Sequence, residues 1–112
     1  MVPHGMSVAL TAPEAFRFTF EAAPERHLRA AGLLDPRASG DGGSADTLPA
    51  VLVDLMRDID IPNGIGAVGY SEADVDDLVE GTLKQQRLLA TCPREVTAED
   101  LAGIFRASLE LW

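Results

Sequence analysis

Val2-Pro3-His4-Gly5-Met6-Ser7-Val8-Ala9-Leu10-Thr11-Ala12-Pro13 opens the chain, and the apolar character continues through Ala15, Phe16, Phe18 and Phe20. Wound as a helix over residues 5–20, these side chains point in nearly every direction, and they show no strand-like alternation. A helix apolar all round is normally buried on all sides, so the rest of the chain has to surround this one. Pro13 has no N–H to give the preceding turn, which predicts a break or restart there and two shorter pieces. Ahead of the helix, His4 stands between a proline that fixes the approach of the chain and a glycine that lets another group come close. That is a way to place an imidazole at the floor of a pocket.

The remaining segments read as helices too. A second starts at Pro24, a good first-turn residue with Glu25 behind it, runs through Arg26-His27-Leu28-Arg29-Ala30-Ala31-Gly32-Leu33-Leu34, and is ended by Asp35-Pro36. A third covers about 46–58, where Leu48, Val51, Leu52, Leu55 and Met56 fall at i, i+3, i+4 and i+7. Ser71 with Asp74, and Thr97 with Asp100, are capping-box-like starts for two more. The first carries Val75, Leu78, Val79, Thr82 and Leu83 and frays through Lys84 to Leu89. The second carries Leu101, Ile104, Phe105, Ser108, Leu109 and Trp112. Residues 35–47 look like a loop, and Ile59 to Gly69 is an apolar, glycine-rich connector. The expectation is an all-α fold of about five to six helices.

With 112 residues the chain makes one domain at most. A net charge of −9 with no basic stripe argues against nucleic acid and against anionic membrane surfaces. Glu72, Asp74, Asp76, Asp77 and Glu80 read as a solvated helix face near a helix N-terminus, because a calcium loop needs a glycine turn that their order does not supply. No apolar stretch approaches the roughly 20 residues of a membrane-spanning helix. The N-terminus lacks the pattern of a signal peptide, which gives a cytoplasmic expectation.

Few residues here carry chemistry. Cys92 is the one cysteine and precedes Pro93 without a His or Cys neighbour, so it reads as a passive thiol. Gly40-Asp41-Gly42-Gly43-Ser44 has neither the preceding strand nor the lysine of a phosphate-cradling loop and reads as a linker. Ser7, Ser71 and Thr97 have no basic partner, which leaves nucleophilic catalysis without support. His4 and His27 are the two histidines. His27, among Glu25, Arg26 and Arg29, reads as a solvated residue with local ion pairing. No carboxylate or cysteine stands at ligand spacing from either, so residue spacing alone defines no metal site.

Taken together, Val2-Pro3-His4-Gly5-Met6-Ser7 with its continuation to Pro13, Phe16-Arg17-Phe18-Thr19, Pro24-Glu25-Arg26-His27-Leu28, Ile61-Pro62-Asn63-Gly64, Val68-Gly69-Tyr70, Gln85-Gln86-Arg87-Leu88-Leu89 and Pro93 to Leu101 resemble the C-terminal part of iron-containing (group III) alcohol dehydrogenases. The hydroxyacid-oxoacid transhydrogenase branch is the nearest. The blocks run in order over essentially the whole chain. The resemblance implies that residues 1–112 are the helical, metal-side region of an oxidoreductase whose N-terminal dinucleotide-binding domain is absent. In that family one aspartate and three histidines hold a divalent metal, Fe2+ or Zn2+, beside a nicotinamide cofactor, NAD(H). The resemblance gives His4 the role of the last histidine ligand, while the other ligands and the dinucleotide loop have no counterpart here. It transfers no role to His27, and no catalytic or cofactor-binding residue is assigned.

The chain is therefore expected to be a fragment or one product of a split gene. It should be inactive alone and bind neither metal nor NAD(H) tightly. Its implied partners are the missing N-terminal half or a second copy of itself, with an alcohol or hydroxyacid as substrate of the intact enzyme. The rival reading is a non-catalytic helical interaction module.

Overall fold

The computed structural model describes residues 2–38 and 42–112. Among these described residues six α-helices follow one another: α1 His4–Thr19, α2 Pro24–Leu34, α3 Thr47–Asp58, α4 Val75–Leu83, α5 Gln86–Leu89 and α6 Ala98–Ser108. Short 3-10 turns lie at Phe20–Ala22, Pro36–Ala38, Ile65–Val68 and Glu72–Asp74, and no strand occurs among the described residues. The fold is all-α, as its periodicities predict.

Local chemistry explains most boundaries. Pro24 begins α2, where its missing N–H costs nothing. At the start of α6, Thr97 Oγ1 accepts from the Asp100 N–H at 3.1 Å while Asp100 Oδ2 accepts from the Thr97 N–H at 2.9 Å. Ser71 and Asp74 make the same reciprocal arrangement ahead of the turn that leads into α4. Two boundaries differ from expectation. The stretch after Leu83 does not simply fray, because Gln86–Leu89 closes a further helical turn. The first helix is not divided at Pro13: α1 runs unbroken through it. The Pro13 ring is fully buried, so packing replaces the hydrogen bond that its nitrogen cannot make to Ala9.

α1 lies against α3 and α6, α4 against α6, and α2 against α3. Leu10, Met56 and Ile65 form one buried cluster and Val75, Val79 and Leu101 another, with Phe105 packing against both. The first cluster therefore draws on α1, α3 and the connector between α3 and α4. That connector is pinned to the end of α6: the Gly66 N–H donates to the Leu109 carbonyl at 3.0 Å. Asn63 Oδ1 accepts from the Leu111 and Trp112 N–H groups at 2.7 and 2.9 Å, and Asn63 Nδ2 donates to the Trp112 carbonyl.

The assembly is a slab of 40 × 32 × 20 Å with a radius of gyration of 14.1 Å, against about 13 Å for a compact domain of this length. A thickness of 20 Å holds about two helix layers, so α1 cannot be enclosed. Leu10 is fully buried, but Val8 is 53% and Phe16 41% exposed. The expectation of burial on all sides is met on one side only.

Candidate functional site around His4

Pro3, in an extended conformation, precedes α1, and its carbonyl accepts from the Ser7 N–H at 3.0 Å. His4 is thereby the first residue of α1, exposed, with its carbonyl accepting from Ser7 Oγ at 2.8 Å. The backbone is held, and the imidazole has no hydrogen-bond partner among the described residues. A Cβ built on Gly5 would meet nothing within 4 Å, so the close approach this glycine permits is not used by any described atom of the chain.

Beside this helix start lies a cleft of about 250 Å³. Val2, Val8 and Leu10 form one wall, and Val68, Tyr70 and Phe105 face them. Val68 and Tyr70 are placed by the connector, hence by Asn63 and by Gly64 and Gly66, where a Cβ would come within 2.5 and 2.6 Å of the Ser108 and Leu109 carbonyl oxygens. Residue spacing did not mark them. Ile61-Pro62-Asn63-Gly64 was the available signal, but Asn63 reaches partners 48 and 49 positions away, which no local pattern encodes.

His27 departs from the solvated, ion-paired expectation. It is half-buried at the turn from α1 to α2, with Nδ1 2.8 Å from the Ala23 carbonyl and Nε2 2.7 Å from Thr19 Oγ1. A carbonyl only accepts, so Nδ1 carries a proton and donates to Ala23, while Nε2 pairs with the Thr19 hydroxyl. Phe16 and Phe20 meet the ring edge-on, each at 5.9 Å between centroids. Both nitrogens serve the corner between helices, which is why His27 is not brought to His4.

Cys92 is half-buried and unpaired, near Arg94 in a separate, polar hollow. Of the glycine-rich loop, Gly40 and Asp41 lie outside the described residues. Ser44 turns toward α3, its N–H donating to Thr47 Oγ1 at 2.9 Å and its Oγ accepting from the Asp46 N–H at 3.1 Å.

A bound transition metal takes about three or four protein donors. Among the described residues no group of three His, Cys, Asp or Glu side chains comes together. The described residues do not by themselves fit a metal centre; what they offer is the His4 imidazole, which has no partner among them. No strand-to-helix phosphate turn occurs among the described residues.

The described residues define a class no narrower than an all-helical segment, in which the His4 imidazole has no partner among them. Comparison with known proteins makes that specific. The profile of the Fe-containing alcohol dehydrogenase family, C-terminal part, matches residues 1–109, and the chain belongs to that family. The mitochondrial hydroxyacid-oxoacid transhydrogenase of Bos taurus is 42% identical over 114 residues, covering 100% of this chain and 24% of the relative. The Homo sapiens enzyme of the same name is 45% identical over 116 residues with the same coverage. The crystal structure of a 1,3-propanediol oxidoreductase superposes with a TM-score of 0.82 at 28% identity, over 96% of this chain and 28% of that one. The chain thus spans about a quarter of the length of these relatives.

The cytoplasmic expectation is corrected by the same finding. The transhydrogenases it matches are mitochondrial by name. Transit peptides sit at N-termini, and a match to the family's C-terminal part does not sample that region of a relative. The residues before α1 therefore say nothing about compartment.

Proposed function

We propose that this chain is the metal-side helical segment of a hydroxyacid-oxoacid transhydrogenase of the iron-containing family, and that His4 supplies one ligand to its metal. The observation that carries this is the exposed imidazole of His4 at the first position of α1, without a partner among the described residues, in a chain matched by relatives that are transhydrogenases by name. In the overall reaction a hydroxyacid loses a hydride and a proton and becomes an oxoacid, while a second oxoacid gains both. This chain holds His4 through Pro3 and Ser7 and leaves the space above Gly5 open. The dinucleotide-binding domain and the other ligands belong to the part of the protein that this segment does not span. The isolated chain is accordingly inactive.

The test is a chimera: the human transhydrogenase with its matched C-terminal segment replaced by this chain. The chimera transfers hydride between a hydroxyacid and an oxoacid, the isolated chain does not, and His4→Ala brings the chimera to background. Transfer by the isolated chain, or a folded chimera whose activity survives His4→Ala, overturns the proposal.

A further inference from the structure

Asn63 is the one asparagine of the chain, and Gly64 follows it. The amide carbon of an asparagine side chain lies within reach of the next backbone nitrogen, and a glycine, with no Cβ, leaves that approach unhindered. Attack of the Gly64 nitrogen on Asn63 Cγ forms a C–N bond and breaks the Cγ–Nδ2 bond. Ammonia leaves, taking up the proton that the Gly64 amide gives to solvent. Water then opens the cyclic imide at one carbonyl or the other, which puts aspartate or isoaspartate at position 63. Water is the only co-reactant, so local geometry decides whether the pair reacts.

The fold holds both reacting groups. Asn63 Oδ1 accepts from the Leu111 and Trp112 N–H groups at 2.7 and 2.9 Å, and Nδ2 donates to the Trp112 carbonyl. The Gly64 N–H donates to the Pro62 carbonyl at 2.9 Å, in a residue that is itself buried, away from the solvent that must take its proton. Leu111 and Trp112 are held in turn. Both pack against the cluster of Leu10, Met56 and Ile65, and the Arg57 guanidinium lies 5.8 Å from the Trp112 ring centroid.

We propose that Asn63-Gly64 is a spontaneous deamidation site latched by residues 111 and 112. The pair is stable while they hold the Asn63 amide, and it converts to aspartate and isoaspartate when they release it. The product does not rebuild the latch. A carboxylate still accepts from the two N–H groups, but it sets an oxygen where Nδ2 donated to the Trp112 carbonyl. Isoaspartate also adds a backbone carbon beside Gly64, where even a Cβ would come within 2.5 Å of the Ser108 carbonyl oxygen. Release of residues 111 and 112 is thereby made permanent, and the connector that places Val68 and Tyr70 at the cleft loses part of its hold on α6. The chemistry is independent of the metal role of His4.

Peptide mapping of the whole 112-residue chain, aged in neutral buffer, tests it. The tryptic peptide 58–84 contains Asn63 and no other side-chain amide, so its conversion to the acid reports this site alone. The three latch bonds slow conversion in the chain by about 10- to 2,000-fold relative to the free peptide 58–84. Leu111→Pro removes one N–H donor and Leu111→Ala keeps it while losing a similar side chain, so the proline variant converts at least about twofold faster than the alanine variant. Asn63→Asp, which makes the product directly, lowers the melting midpoint by at least about 4 °C. A chain that converts as fast as the free peptide, or a Leu111→Pro variant no faster than Leu111→Ala, overturns the latch. An Asn63→Asp chain that melts with the parent overturns the claim that release is permanent.

Discussion

Gly64→Ala probes the joint that sets the far wall of the cleft. Gly64 has φ +79° and ψ 177°, a region essentially reserved for glycine, so alanine there costs about 1–3 kcal/mol in backbone strain. Its Cβ would lie 2.5 Å from the Ser108 carbonyl oxygen and 2.6 Å from that of Leu109. Those are backbone atoms at the end of α6 and cannot swing aside. Relief requires the connector to lift, which breaks the Gly66 N–H to Leu109 carbonyl bond of 3.0 Å and adds about 0.5–1.5 kcal/mol. The total of about 1.5–4.5 kcal/mol corresponds to a melting midpoint lowered by roughly 6–20 °C. Urea unfolding followed by far-UV dichroism reads the same loss as a lower midpoint at unchanged slope. Gly103→Ala is the control. It sits on an exposed face of α6 where a Cβ meets nothing within 4 Å, so it stabilises by up to about 1 kcal/mol. A Gly64→Ala protein melting within about 2 °C of the parent would refute the account of this joint.

Three further outcomes follow from particular contacts. Ser108 is fully buried and its hydroxyl has no partner among the described residues; Ser108→Ala removes a desolvated polar group and leaves stability unchanged or about 1 kcal/mol higher, and a loss of that size in urea unfolding would contradict this. Arg94 Nη1 donates to the Phe18 carbonyl at 2.9 Å, Nη2 lies 3.2 Å from Glu21, and the guanidinium sits 4.0 Å over the Phe18 ring. Arg94→Lys keeps the charge and loses the fork, for a cost of about 1–3 kcal/mol by chemical denaturation; an unchanged midpoint would show that these contacts do not hold the segment before α6 to α1. The Thr97 N–H that donates to the Asp100 carboxylate holds its pKa below the ordinary value. A lowered folded-state pKa means that this contribution is present above about pH 4, the unfolded value, and is lost as pH falls through the lower folded one. Asp100→Asn therefore flattens the acid limb of stability against pH, and an identical acid limb in the variant would refute the cap.

Much of this fold was legible because its signals are local. The stripe of α3, Pro24 at the start of α2, and the Ser71 and Thr97 boxes each act within a few residues, and the structure carries them as written. Pro13 misled because propensity counts the missing hydrogen bond, whereas the structure decides by where the ring is buried. His27 misled for a related reason. Its charged neighbours in sequence suggested water, but the turn at Phe20–Ala22 folds the imidazole back onto Thr19, Phe16 and Phe20. For the site, the Pro3-His4-Gly5 signal located the imidazole, and the ligand role proposed for it comes from the resemblance alone. The cleft stayed hidden because Val68 and Tyr70 reach it through Asn63 and Gly66, whose partners stand more than 40 positions away.

The central claim is that His4 ligates a metal completed by residues beyond this segment. Metal analysis of the purified chimera by plasma mass spectrometry, with and without His4→Ala, tests it most directly. The account predicts about one divalent ion per chain in the chimera and its loss in a folded His4→Ala variant. A His4→Ala chimera that folds and retains its full complement of metal would contradict it.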